Sequence, residues 1–146
     1  MYPDTVNSSV MVEEPGNLCC SKKKILFVDP DITSYYLVSE ILTEYGIEIM
    51  SAKSGLEAIR LFRENPHIDC LITEIKVPGL DGFGILRATR EMNPSIVVIA
   101  QTAYVHDNMK QQCLMAGFNE YISKPLDLEL FTGIIKEYIV KPLDKN

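Results

Sequence analysis

Residues 25–50 read ILFVDPDITSYYLVSEILTEYGIEIM, and this stretch sets the pattern that the rest of the chain repeats. Ile25-Leu26-Phe27-Val28 is a continuous apolar run, which suits a strand buried on both faces of a parallel sheet. Tyr35, Val38, Ile41, Leu42 and Tyr45 then fall at helical spacing, and Gly46 follows as a stop. Ile47-Glu48-Ile49-Met50 reads as a second, weaker strand. One strand–helix–strand unit is therefore complete within 26 residues.

The same alternation continues outward. Cys70-Leu71-Ile72 and Ile96-Val97-Val98-Ile99 are further apolar runs, and Tyr121-Ile122 is a weaker one. Leu56, Ile59 and Phe62 predict a helix between the second and third strands, and further helices are predicted over 82–92, 105–116 and 127–140. The last of these carries Phe131, Ile134, Ile135 and Tyr138 on one side. Gly117 follows a helix, and Asn65-Pro66 and Asn93-Pro94 separate helix from strand. Five βα units in strict alternation imply an α/β fold, a doubly wound parallel sheet with helices on both faces. In such sheets ligands bind outside the carboxyl ends of the strands. The polar residues there are Asp29, Glu74, Thr102 and Lys124. Each alone reads equally as a cap, a turn residue or a solvated amine. Together, two carboxylates, a hydroxyl and an ammonium could hold a divalent cation and a phosphoryl group.

Composition bounds the rest. A chain of 146 residues fits one domain. With 47% hydrophobic and 23% charged residues it reads as a soluble globular protein, and no apolar run approaches the roughly 18 residues of a membrane span. A net charge of −6 and a pI near 4.9 argue against direct nucleic-acid binding. Cys19, Cys20, Cys70 and Cys113 lack metal-site or disulfide-scaffold spacing, and the N-terminus lacks the features of a signal peptide. Cytosolic thiols and a cytoplasmic location are expected. Residues 1–21 mix Pro, Asn, Ser, Gly and acids without periodicity and read as a flexible tail; residues 142–146 read as a short C-terminal tail. The folded domain is expected over 22–141, opening on a solvated Lys22-Lys23-Lys24 run.

Several motifs resemble the receiver domains of two-component response regulators and hybrid histidine kinases, over about residues 23–140. Ile25-Leu26-Phe27-Val28-Asp29 is similar to the acidic first-strand motif, and Glu74-Ile75-Lys76-Val77-Pro78-Gly79-Leu80-Asp81-Gly82 to the phosphoacceptor segment. Thr102-Ala103, Ala116-Gly117 and Tyr121-Ile122-Ser123-Lys124-Pro125 resemble the hydroxyl–Ala pair, the end of the fourth helix, and the switch aromatic with its Lys-Pro. The resemblance implies a flavodoxin-like (βα)5 fold with strand order 2-1-3-4-5. It implies phosphorelay signalling rather than enzymatic turnover, with a sensor histidine kinase or a histidine phosphotransfer protein as partner. A homodimer through the face of the fourth helix, fifth strand and fifth helix would also follow. Glu74 would occupy the phosphoacceptor position, with Thr102 and Lys124 reading the phosphate and Thr102 and Tyr121 acting as the switch. Mg²⁺ would be held by Asp29, Glu74 and the Lys76 backbone carbonyl. The same resemblance implies a cis peptide before Pro125.

Two departures bear on chemistry. Glu74 stands where the family has Asp, and Pro30 replaces the second first-strand acid. Glutamate is one methylene longer, and a misplacement of about 1 Å can cost on the order of a hundredfold in rate. A missing acid predicts weak Mg²⁺ binding, because Asp31 is expected to cap the first helix instead. Two functions stay open: an atypical receiver acting by protein contact, and a phosphoryl-accepting receiver with weak Mg²⁺-dependent phosphorylation. A flavodoxin-like cofactor protein shares the layers, but Asp29-Pro30-Asp31-Ile32-Thr33-Ser34 lacks a Gly-rich phosphate cradle.

Overall fold

The structure is a computed structural model that describes residues 22–103, 106 and 108–140. Both expected tails, 1–21 and 142–146, lie outside the described residues, and so does the expectation that the first is mobile. The strands are β1 (Lys24–Val28), β2 (Glu48–Ala52), β3 (Cys70–Thr73), β4 (Val97–Thr102) and β5 (Glu120–Ser123). The helices are α1 (Ile32–Glu44), α2 (Gly55–Glu64), α3 (Gly82–Met92), α4 (Met109–Ala116) and α5 (Leu128–Ile135). All pairings are parallel, in the order β2-β1-β3-β4-β5. This is the flavodoxin-like arrangement expected from the sequence.

The period of two along each strand divides the core into two layers. Leu26, Val28, Leu71, Val98 and Ala100 face one side, where Ala58 and Phe62 of α2, Ile85 and Leu86 of α3, and Met109 and Cys113 of α4 cover them. Ile25, Phe27, Cys70, Ile72 and Ile99 face the other, against Val38 and Leu42 of α1 and Phe131, Ile134 and Ile135 of α5. Cys70 and Cys113 are buried free thiols, and burial pushes the Cys113 thiol up to about 11.

The helix starts follow local chemistry. Asp31, Ser54, Asp81 and Asp127 each accept a backbone N–H from the first turn of α1, α2, α3 and α5 respectively. Gly46 and Gly117 take positive φ values of 70° and 119° behind α1 and α4.

Three expectations need correction. The fourth helix was expected from residue 105, but His106 is not helical and α4 opens at Met109, whose N–H donates to the His106 carbonyl at 3.0 Å. A turn, not a helix, leads into α4, with Asn108 at its cap and no side-chain capping bond. The last helix was expected to run unbroken to 140, yet α5 passes into a π-helical turn over Lys136–Val140. Ile139 of that turn remains in the core at 3% exposure. Leu56, expected on the inner side of α2, is 71% exposed. The inner face is instead set by Gly55, Ala58 and Phe62, because Gly55 abuts the loop before α3: a Cβ there would lie 2.1 Å from the Leu80 carbonyl oxygen.

Candidate functional site at the carboxyl ends of the strands

The backbone ladder continues one residue past three of the strands and so fixes where the polar side chains start. The Asp29 N–H donates to the Ala52 carbonyl at 3.0 Å, that of Glu74 to Val28 at 2.9 Å, and that of Lys124 to Thr102 at 2.9 Å. Asp29, Glu74 and Thr102 are 3%, 7% and 0% exposed. The Lys124 ammonium lies between the two carboxylates, 2.5 Å from Asp29 Oδ2 and 3.2 Å from Glu74 Oε1. The peptide between Lys124 and Pro125 is cis, as the resemblance implied. Strands β1, β3 and β5, which are not neighbours in sequence, thus meet in one charge cluster.

Backbone donors complete it. Asp29 Oδ1 accepts the Asp31 N–H at 2.9 Å. Glu74 Oε2 accepts from the Ile75 N–H at 2.9 Å and the Lys76 N–H at 3.4 Å, and Oε1 from the Ala103 N–H at 3.4 Å. With Lys124, that makes four donors on Glu74, the capacity of a carboxylate. The loop behind Glu74 is held by close packing: the Gly82 N–H donates to the Ile75 carbonyl at 2.8 Å, and a Cβ on Gly82 would come within 2.8 Å of the Glu74 carbonyl oxygen. The Pro78-Gly79-Leu80-Asp81-Gly82 segment is therefore a scaffold: Gly79 turns it at a φ of 81°, and Asp81 caps α3 through the Gly84 N–H at 2.9 Å.

Electrostatics follow from burial and charge. Burial pushes the Asp29 carboxyl above its ordinary value of 3.8, with the Glu74 charge adding, while Lys124 and the Asp31 N–H pull it back. For Lys124, burial favours the neutral amine, but the bonds and charges of Asp29 and Glu74 outweigh it and raise the pKa above 10.5. The cluster is an internal ion pair plus one further carboxylate.

Asp31 does not turn toward this cluster. Its Oδ2 accepts from Ser34 Oγ at 2.9 Å and its Oδ1 from the Thr33 N–H at 3.1 Å, which lowers its pKa below 3.8. The capping role expected for it is the observed one. Tyr121 packs on the α2–α3–α4 side of the sheet with its hydroxyl buried and without a hydrogen-bond partner among the described residues. Burial, then the charges of Cys113 and Glu74, raise its pKa.

Sequence reasoning missed two kinds of group. The N–H groups of Ile75 and Ala103 carry no side-chain signal and emerge only from backbone geometry. Gln101, 1% exposed with Oε1 unpartnered among the described residues, lines a cavity of about 390 Å³ with Ser34, Leu37 and Leu126. Its place between Ala100 and Thr102 in a buried strand was the available clue.

A metal here would need oxygens that these internal bonds already occupy. Pro30 offers no carboxylate, and among the described residues no group of three or more His, Cys, Asp or Glu is placed to hold an ion. The donor set does not fit a divalent ion as it stands.

Comparison with known proteins agrees with the fold. The model of the response regulator receiver domain matches residues 25–136. Sporulation initiation phosphotransferase F of Bacillus subtilis is 31% identical over 125 residues, covering 85% of this chain and 98% of that protein. The sensor histidine kinase RcsC of Escherichia coli is 29% identical over 114 residues, 78% of this chain but only 12% of the kinase. The chain thus spans nearly all of one curated relative and a small part of the other. A response regulator receiver domain protein from Clostridium thermocellum superposes with a TM-score of 0.73 at 31% identity, covering 83% of this chain and 97% of that one. The receiver domain of sensor histidine kinase PA1611 from Pseudomonas aeruginosa, solved with a magnesium ion coordinated in its active site cleft, gives 0.72 at 24% identity over 83% and 100% of the two chains. In a Saccharomyces cerevisiae complex, the receiver domain of Ssk1, bound to the histidine phosphotransfer protein Ypd1, gives 0.70 at 22% identity over 80% and 88%. At these identities the last two speak for the fold alone. By the extent of the family match, this chain belongs to the response regulator receiver domains of two-component phosphorelay signalling.

Proposed function

We propose that this chain is an atypical receiver in which Glu74 occupies the phosphoacceptor position and signalling proceeds by protein contact rather than by phosphoryl transfer. The observation that carries this is the saturation of Glu74: two of its donors lie at 2.9 and 3.2 Å, and two more at 3.4 Å. A carboxylate so engaged is a poor nucleophile, and it also places a negative charge beside Lys124 and beneath the Ala103 N–H. That charge is one unit where a phosphoryl group would bring nearly two. Thr102 at 0% exposure and the buried Tyr121 hydroxyl favour reading Glu74 as a built-in anion that holds the switch pair inward. The partners that fit are a sensor histidine kinase or a histidine phosphotransfer protein, in the cytoplasm. A second copy could meet the α4–β5–α5 face; α4 leaves Leu114 and Met115 exposed, and α5 leaves Leu128 and Leu130 exposed. Mg²⁺ binding at Asp29, Glu74 and the Lys76 carbonyl is weak in this reading.

The second reading, a receiver weakly phosphorylated with Mg²⁺, draws on the presence of both Thr102 and Lys124 at the strand ends. Intact-mass measurement after acetyl phosphate with Mg²⁺ separates the two. The native chain should keep its unmodified mass, while Glu74→Asp gains a phosphoryl group in part. A phosphoryl adduct on the native protein would favour the second reading and overturn the first.

A further inference from the structure

We propose that the Lys124 ammonium is the resident cation of this crevice: it holds Asp29 and Glu74 where a divalent ion would need them, and it is the group that keeps such an ion out. The proposal rests on the reading of the crevice as a receiver site, and it goes further in assigning the exclusion to one side chain. Lys124 touches both carboxylates, at 2.5 and 3.2 Å, and its side chain is only 14% exposed. Its backbone N–H is tied to the Thr102 carbonyl at 2.9 Å, so the root of the side chain is fixed. Mg²⁺ demands oxygens at about 2.0–2.1 Å in near-octahedral array. To meet that demand it would have to strip the ammonium from Asp29 Oδ2 and Glu74 Oε1, or else sit a few ångströms from a positive charge in a desolvated site. Neither neighbour offers help: Pro30 has no oxygen on its side chain, and both oxygens of Asp31 are turned to Thr33 and Ser34. One monovalent cation on a flexible stem costs the site less reorganisation than a divalent ion with too few acids around it.

The consequence is specific. Removing the ammonium should leave two buried carboxylates, 3% and 7% exposed, with no counter-charge between them, and a divalent ion should then be welcome. The test uses the full chain as wild type, Lys124→Met and Lys124→Gln, with Mn²⁺ as the probe followed by electron paramagnetic resonance, and urea unfolding with and without Mg²⁺. The wild type should bind Mn²⁺ no better than buffer-exposed carboxylates and unfold at the same urea midpoint at any millimolar Mg²⁺ concentration. Either Lys124 variant should bind Mn²⁺ at least about tenfold more tightly and gain stability from Mg²⁺, and Glu74→Gln added to it should abolish both. Tight Mn²⁺ binding by the wild type would overturn the proposal. So would equal indifference of the wild type and both variants, which would assign the exclusion to the missing acid at Pro30 instead. Should the variants fold poorly, the wild-type Lys124 ammonium resonance decides: it should not move with added Mg²⁺, and a shift would count against us. The acetyl phosphate experiment on Glu74 reads the receiver assignment separately, whichever way these outcomes fall.

Discussion

At the scale of single residues, Glu74 and Tyr121 test whether a side chain can stand in for a signal. A built-in ligand shifts an equilibrium only by its differential interaction with the two states. Neutralising Glu74 to Gln keeps its size and removes that difference, so Tyr121 and Thr102 should shift toward outward conformers, seen as changed chemical shifts of the Tyr121 ring and the Thr102 methyl. Because the Tyr121 hydroxyl has no hydrogen-bond partner among the described residues, turning outward gives it water and sacrifices no bond to any of them. Unchanged resonances in Glu74→Gln would leave an inert scaffold. A second residue-scale prediction concerns alkali. Burial and then the Glu120 bond, at 3.0 Å, push the Tyr138 hydroxyl from 10.0 up to about 12, so the folded state disfavours its ionisation. Lys124 has a folded value raised above 10.5, and its contribution is fully present below that value and lost as pH rises through the raised one. Both signs predict stability that falls above pH 10, and Tyr138→Phe should flatten part of that fall in urea midpoints measured against pH. An identical slope in the variant would refute the assignment. The polar quartet Asp29, Glu74, Thr102 and Lys124 was legible in the sequence, because strand ends can be counted. Which carboxylate Lys124 favours was not, since that depends on where a long side chain comes to rest.

At the scale of elements, periodicity located the five strands and five α-helices of the described residues, and it erred where packing overrides it. Leu56 has the right spacing for a core position but sits on the outer side of α2, because the close approach of Gly55 to Leu80 sets the helix rotation. The start of α4 was misread because apolar spacing says nothing about whether the preceding turn is hydrogen-bonded. A further feature invisible to pattern is the guanidinium of Arg90 in α3. It donates to the carbonyls of Ile96 and Pro94, to that of Gly117 at 2.7 Å, and to Asn119 Oδ1 at 3.0 Å. Asn119 Oδ1 also accepts the Val98 N–H at 2.8 Å. Arg90 thereby ties α3 to the start of β4 and to the turn between α4 and β5, at the end of the sheet away from the charge cluster. A lysine keeps the charge but not the planar fork. Arg90→Lys should therefore lose about 2 kcal/mol in urea unfolding, since hydrogen bonds to a charged group are worth roughly 1.5–3 kcal/mol each and only some survive. A midpoint equal to that of the wild type would show that solvent replaces these bonds at no cost.

At the scale of the whole molecule, the layers follow from five alternating units and the handedness rule leaves few topologies, while the strand order β2-β1-β3-β4-β5 was implied by the family resemblance, so the architecture could be read in advance. What the chain presents outward depends on helix rotation, and there the exposed apolar side chains are the informative ones. On α4, Leu114 and Met115 are 41% and 82% exposed, and on α5, Leu128 and Leu130 are 47% and 49% exposed. A second copy meeting the α4–β5–α5 face would cover those of them that lie on it, but the net charge of −6 opposes association of two identical chains. That repulsion is screened over about 8 Å at physiological ionic strength. Self-association should therefore be weak at low salt and strengthen as salt is added, the reverse of what an interface built on opposite charges would do. Met115→Glu adds a charge at the most exposed apolar position of α4 and should abolish association at all salt concentrations if that side meets the second copy. Met92→Glu, at the 40% exposed end of α3, changes charge equally and should weaken association only as far as repulsion does, recovering in salt. Sedimentation equilibrium across a salt series distinguishes these outcomes. A wild type that stays monomeric in high salt, or a Met115→Glu chain that associates as the wild type does, would remove the α4–β5–α5 face from consideration as a self-docking surface and leave it to a different protein.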